Sequence, residues 1–424
     1  MDDTLSALRE ALGFHTGDPS QEQICKPYIE YIKSSWTGRG EQQDFLRFFI
    51  EVVRHCRVAS AGQGASVNSS IREYLSGLIT HQDHYYFKDT IANSAARQSR
   101  VTETVLLVLG TWLLLQSYFV PTQQDQRRIV YAYCWNKNQE YSEANAFGQS
   151  IGTLIQKSGL LPSAEEGKSV PNDNASSFQI VDDAEISEAF PLHSYANLLE
   201  SLSIDATRLN ATNLSTYSHV EIAWTQNISR HMLLSKRAES YYLEIFALPC
   251  ALQGGADYVL SSIGISTDLI DEIECSYATL FNPLSESKLH KTLAWMVGLH
   301  HWCWCLYCTA QRFRKHTLES LKGIKSRRRG SSLETSYRMT YDDQIRILME
   351  REASQWNQTD FSNLWPRILA LDSHLQQARP WNFWVLFRDR RDTVQYWTFL
   401  FGTVILFLTV VQVILSIAQV IASF

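Results

Sequence analysis

The sequence predicts a mostly α-helical protein, with helical cytosolic regions followed by a single C-terminal transmembrane helix. Three observations lead there. Apolar residues recur at helical spacing through much of the 424-residue chain. No Asp, Glu, Lys or Arg occurs after Asp392, and residues 397–421 (WTFLFGTVILFLTVVQVILSIAQVI) are almost wholly apolar. The composition is 45% apolar, 12% aromatic and 19% charged, which suits large buried cores and excludes a disordered chain. With 38 Lys and Arg against 44 Asp and Glu, there is no chain-wide basic footprint for nucleic acid.

Residues 1–160 read as an N-terminal helical region. Its first residues, MDDTLSALREALGF, carry Asp2, Asp3, Arg9 and Glu10 among the apolar ones, so they lack the uninterrupted apolar core of a signal peptide. QDFLRFFIEVVRHCRV, near 43–58, is an amphipathic helix by its spacing. The apolar stretch 101–120 sits at the lower length limit for a span and is bounded by Arg100, Glu103 and Pro121. A helix buried in the helical region is expected there, with a second crossing as the alternative.

Residues 161–190 lack a helical period and are rich in Pro, Ser, Asn and acidic side chains, which reads as a linker. A second helical region, 191–320, follows. Within it VEIAWTQNISRHMLLS reads as a short strand or turn leading into a helix. Gly254-Gly255 marks a break, and 266–281 and 289–314 look helical. Arg312, Arg314, Lys315, Lys322, Lys325, Arg327, Arg328 and Arg329 face a single Glu319. We read 321–332 as a solvated basic loop, the alternative being contact with anionic headgroups. Residues 333–392, with a helix near 343–356, read as a stalk and membrane-proximal segment leading to the anchor, 393–424.

Twenty-five residues from 397 to 421 would extend about 37 Å as a helix, against roughly 30 Å of bilayer hydrocarbon. Trp381, Trp384, Tyr396 and Trp397 suit the headgroup belt, and Arg388, Arg390 and Arg391 stand outside it. No Lys or Arg follows the span, so the positive-inside rule leaves the bulk of the chain in the cytosol, in a tail-anchored arrangement. The expected location is an internal membrane rather than the plasma membrane. The polar residues Gln395, Thr398, Gly402, Thr409, Gln412, Ser416 and Gln419 recur at steps of three, four or seven, which places them on one stripe. Such a stripe suits a second copy or a partner membrane helix, besides the lipid bilayer itself.

Candidate chemistry is thin. HHWCWCLYC (300–308) puts His301, Cys305 and Cys308 on one helical face, where a packed core helix is expected over a zinc site. His81, Asp83 and His84 form a small cluster that completes no metal motif and is expected in a surface loop. Gly167-Lys168-Ser169 lacks the upstream glycine of a phosphate loop, Pro162 standing in its place. Neither GxSxG nor GxGxxG occurs. No catalytic, cofactor or metal residue is therefore assigned. The eight cysteines lack disulfide-framework spacing. Six sequons, at Asn68, Asn174, Asn210, Asn213, Asn227 and Asn357, matter only for a luminal chain and are expected to be unused.

The block RPWNFWVLFRDRRD (379–392) with its apolar tail resembles the end of a group of filamentous-fungal membrane proteins of unknown function. ETVLLVLGTWLLLQSYF and LNATNLSTYSHVEIAWTQNISRHMLL are similar to internal blocks of that group. The resemblance implies a fungal membrane protein, in some cases encoded beside secondary-metabolite biosynthesis genes, and carries no catalytic residues. A looser similarity, to CorA-type magnesium channels, lacks their second span and their Gly-Met-Asn turn. The expected function is a membrane-anchored, non-enzymatic scaffold or regulator. The alternatives are a tethered accessory enzyme of secondary metabolism and a degenerate ion-permeation protein.

Overall fold

Helical spacing is realised first in the N-terminal part. The computed structural model describes residues 2–61 apart from 16 and 39, 70–119 apart from 82 and 89–93, 127–164 apart from 141, 203–254 apart from 239, 265–282, 306–327, 341–378 and 393–422. The N-terminal part holds α1 (Asp2–Ala11), α2 (Pro19–Ser34), α3 (Gln42–Ala61), α4 (Ile71–Thr80), α5 (Ser94–Trp112), α6 (Gln116–Phe119), α7 (Arg128–Asn136), α8 (Glu143–Phe147) and α9 (Ile151–Ser158). Local chemistry starts several of them. The Asp18 carboxylate accepts from the N–H of Ser20 ahead of α2, and Ser70 with Glu73 forms a capping box on α4. Along α3, Phe45, Phe48, Phe49, Val52 and Val53 are buried, the i, i+3, i+4, i+7, i+8 stripe of a core-facing helix.

The apolar stretch after residue 100 is a core helix and not a second crossing. Val101, Val105, Val108, Leu109 and Trp112 of α5 are buried inside the protein. The helix stops where Leu114 takes a left-handed φ of 57°. Leu115 N–H then bonds Gly110 O at 2.8 Å and Leu114 N–H bonds Thr111 O at 3.3 Å, the two bonds of a Schellman end. A leucine there, where glycine is usual, stores about 1–2 kcal/mol of backbone strain. Burial of Leu113, Leu114 and Leu115 holds it in place. Gly110 is required beside this turn: a Cβ would lie 2.8 Å from the Cα of Gln116.

The second part runs β1 (Ser203–Ile204), α10 (Ala211–Ser218), β2 (Val220–Thr225), β3 (Leu233–Arg237), β4 (Ser240–Phe246), α11 (Thr267–Phe281), α12 (Leu306–Arg327), α13 (Asp343–Glu350), β5 (Trp356–Asn357), α14 (Trp365–Gln377) and α15 (Thr393–Ala422). The helices predicted near 43–58 and 266–281 are α3 and α11. A short strand or turn leading into a helix is expected for residues 220–235; the strand is present, but a 3-10 turn (Ile228–Arg230) and a second strand stand where the helix is expected. Met232, with a φ of 61° and a fully buried side chain, reverses the chain into β3. The sheet order is β2-β4-β3, with β2 parallel and β3 antiparallel to the central β4.

Two boundaries differ from the sequence expectation. Residues 321–327 are not a loop but the last turns of α12, and residues 328–332 lie outside the described ones. Residues 341–378 are not a stalk. The helix expected over 343–356 ends at Glu350, β5 pairs antiparallel with β1, and the buried Trp356 donates Nε1–H to Leu209 O at 2.9 Å. The body therefore closes late in the chain, on contacts more than 140 residues apart in sequence. Of the linker expected at 161–190, only 161–164 are described.

One hydrophobic cluster runs through both parts. A polar bond joins them at the turn after α5, where Ile228 N–H donates to Leu114 O at 3.1 Å; within the N-terminal part, Tyr28 Oη donates to Trp112 O at 2.8 Å next to it. Ser229 Oγ donates to Tyr118 Oη at 3.0 Å beside them. The cluster includes no residue of α15.

Candidate functional site

The feature that the rest of the fold leaves uncovered is α15. Its apolar run, Trp397–Gln419, is 23 residues long and none of it is buried inside the protein. Leu406 and Phe407 are 66% and 67% exposed, whereas Leu, Phe and Val side chains across the core fall to a few per cent. A helix of 23 residues extends about 34 Å, enough for the roughly 30 Å of bilayer hydrocarbon. Among the described residues it is the one helix with that length and composition. Trp397 stacks on Phe401 at its start, with ring centroids 5.8 Å apart.

The predicted stripe lies on this helix. Thr409 Oγ1 donates to Ile405 O at 2.8 Å and Ser416 Oγ donates to Gln412 O at 2.9 Å, so these hydroxyls are satisfied within the helix. Gln412 and Gln419 are exposed. At Gly402 an added Cβ would meet nothing. Gln395 and Tyr396 belong to α15, but their side chains lie outside the described ones. Trp381, Trp384, Arg388, Arg390 and Arg391 lie outside the described residues.

Three of the sequon asparagines are built into the core. Asn210 is fully buried, caps α10 by accepting from Asn213 N–H, and donates Nδ2–H to Ala206 O and Thr207 O. Asn213 donates Nδ2–H to Thr207 O and Arg208 O. Asn227 donates Nδ2–H to Ser117 Oγ at 2.8 Å and caps the following 3-10 turn. A glycan is attached through Nδ2, so glycosylation at any of the three is incompatible with this fold. Asn357 is half-buried and donates to Asp360, while Asn68 and Asn174 lie outside the described residues.

The histidine clusters resolve into structural pairs. His84 approaches Glu51 through Nε2 at 3.2 Å, while its Nδ1 accepts from Tyr86 N–H and caps a 3-10 turn. Glu51 also accepts from Tyr85 Oη at 3.4 Å, at the edge of an open groove of about 470 Å³ between α1 and α3. His81 ends α4 on the surface. Of the Cys–His run at 300–308, Cys308 is buried on α12 and residues 300–305 lie outside the described ones, as do Gly167, Lys168 and Ser169. Among the described residues, no three His, Cys, Asp or Glu converge to hold a metal.

Sequence spacing carried no sign of a second pair, His231 with Ser276. Their side chains meet at 2.7 Å in the core, although they stand 45 residues apart. A serine nucleophile needs an unprotonated imidazole nitrogen facing it. Here Phe246 N–H donates to Nδ1, which leaves the proton on Nε2, and Ser276 Oγ sends its own hydrogen to Ile273 O at 2.7 Å. The ring is thus a structural clamp between β4 and α11.

Burial, helped by the nearby Arg367 charge, pushes the His231 pKa down to about 3. An unfolded histidine titrates near 6.5. The stabilising difference is complete above that value and is lost as pH falls from about 6.5 towards 3, at up to about 1.4 kcal/mol per pH unit. Chemical denaturation at pH 7, 6 and 5 is therefore expected to show stability declining as the pH falls, with a shallower decline in His231→Gln. Burial also lowers the His374 pKa, so part of the slope persists in that variant. An unchanged slope would remove His231 from this role.

Comparison with protein-family models, curated proteins and solved structures gives no match in any of the three.

Proposed function

We propose that this chain is a non-enzymatic scaffold or regulatory protein, anchored by α15 in an internal membrane with its body on the cytosolic side. The observation that carries the reading is that no residue of Trp397–Gln419 on α15 is buried, beside a body whose core apolar side chains are exposed by only a few per cent. In water such a surface would drive aggregation; in lipid it is matched.

The orientation draws on two further observations. All six described cysteines are free thiols, four of them buried, as suits a reducing compartment. Asn210, Asn213 and Asn227 spend their side-chain nitrogens on core hydrogen bonds, so a body folding where glycans are added would risk losing those bonds. A non-enzymatic role is favoured because both histidine pairs are committed by backbone donors. The buried Glu272 serves a structural end as well: it accepts from the N–H groups of Asn363 and Leu364 at the start of α14.

Full-length protein made with microsomes tests this. It should resist carbonate extraction, its body should be digested by added protease, and endoglycosidase should leave its mobility unchanged. Extraction by carbonate would end the anchoring reading; protection of the body together with glycan addition would reverse the orientation.

A further inference from the structure

We infer that α15 pairs in parallel with α15 of a second copy of this chain, Gln412 facing Gln412 inside the bilayer and Gln419 facing Gln419 at its edge. The inference rests on α15 being the membrane span proposed above. Residues 395, 402, 409 and 416 repeat every seven, and 398, 405, 412 and 419 form a second row three residues on. Two such rows make one helix face, the seam of a left-handed helix pair.

The polar side chains on this seam are of two kinds. The hydroxyls of Thr409 and Ser416 already bond carbonyls one turn back, so they ask nothing of a neighbour. The side-chain amides of Gln412 and Gln419 make no hydrogen bond among the described residues. An amide in hydrocarbon needs both a donor and an acceptor, and acyl chains supply neither.

Depth separates the two glutamines. With the run Trp397–Gln419 centred in the bilayer, residue 408 is at the midplane. Gln412 then lies about 6 Å from it, and Gln419 about 16 Å away at the hydrocarbon boundary, where headgroups and water can reach it. Gln412 is therefore the group that lipid leaves unsatisfied.

A second copy fits this need without further assumption. An amide is complementary to itself, and every copy enters the membrane in the same direction to the same depth. A parallel pair thus sets each glutamine against its own counterpart. A different membrane protein would have to offer a donor and acceptor at that one depth. Gly402, whose missing Cβ serves no contact within its own chain, lies on the same seam and lets two backbones approach.

The test is energy transfer between N-terminally labelled full-length copies in phosphatidylcholine vesicles, diluted stepwise with lipid. Wild type should show transfer that lipid dilution abolishes. Gln412→Leu should weaken pairing about tenfold, and Gln419→Leu by less, about threefold. Gln412→Asn should recover most of the loss, and Ile414→Leu, on the opposite face, should change nothing. Leucine favours insertion and no residue of α15 belongs to the core cluster, so the variants keep both anchor and body.

Absence of transfer in wild type, wild-type pairing in Gln412→Leu, or a larger effect at Gln419 than at Gln412 would each overturn the proposal. Every sample is also washed with carbonate. Protein that washes off overturns the span and the pairing together, whereas protein that stays bound but monomeric overturns the pairing alone.

Discussion

A chain ending at residue 392 is expected to leave the membrane fraction completely and to keep its fold. Between residues 397 and 419 there are fourteen Leu, Ile, Phe and Val residues. On an insertion scale each favours the membrane by about 0.3–0.6 kcal/mol at the helix centre, or about 4–8 kcal/mol together. Their removal shifts partitioning by three orders of magnitude or more, since each 1.4 kcal/mol is about tenfold. The fold is expected to survive because the hydrophobic cluster takes its last member, Leu375, from α14 and none from α15. Flotation on a density gradient reads the first effect, and the midpoint and cooperativity of thermal unfolding read the second. A truncated protein that still floats would place the membrane contact in the body. One that floats no longer but melts without cooperativity would mean that α15 supports the core after all.

What could be read from the sequence follows from how locally each feature is encoded. The helical class, α3, α11 and the terminal span are written in consecutive residues: a 3.6-residue stripe in Phe45, Phe48, Phe49, Val52 and Val53, and an uncharged run after Asp392. The sheet was missed because its decisive contacts are not local. Ile228 and Met232 are spaced as on a helix face, yet Met232 N–H bonds Glu244 O at 2.8 Å and draws the chain into β3. Strand propensity depends on such neighbours and is weakly written in any one segment. The expected stalk failed for the same reason, since Trp356 finds its acceptor at Leu209.

At the site, the stripe on α15 was legible from spacing alone. Its division into self-satisfied hydroxyls and needy amides was not, because that depends on the bonds Thr409 and Ser416 make to the turn before them. The buried duty of Asn210, Asn213 and Asn227 was hidden behind a sequon pattern. An N-cap and a glycan acceptor use the same residue type, and burial decides between them.

Glu244→Gln, made in the body lacking residues 393–424, is expected to cost about 3–5 kcal/mol of stability. Glu244 sits on the central strand β4 and is 2% exposed. Its carboxylate takes two bonds from Arg230, at 2.5 and 2.6 Å, and further bonds from Ser235 Oγ at 3.0 Å and Arg237 at 3.2 Å. The Arg230 side chain is itself only 11% exposed. Glutamine keeps the shape but takes the carboxylate charge from beside that guanidinium, away from water, and its amide turns a donor towards another donor.

The two arginines separate charge burial from simple pairing. Arg237 is 54% exposed, so Arg237→Ala should cost no more than about 1 kcal/mol, the range of a surface ion pair. Replacing both buried partners, with Arg230→Met and Glu244→Leu together, should cost less than Glu244→Gln alone, because the double change removes the buried charge as well as its partner. Urea unfolding of the three variants gives the comparison directly. If Glu244→Gln costs under about 1 kcal/mol, or Arg237→Ala costs as much as it does, the carboxylate is satisfied by solvent and the sheet is held by its apolar face alone.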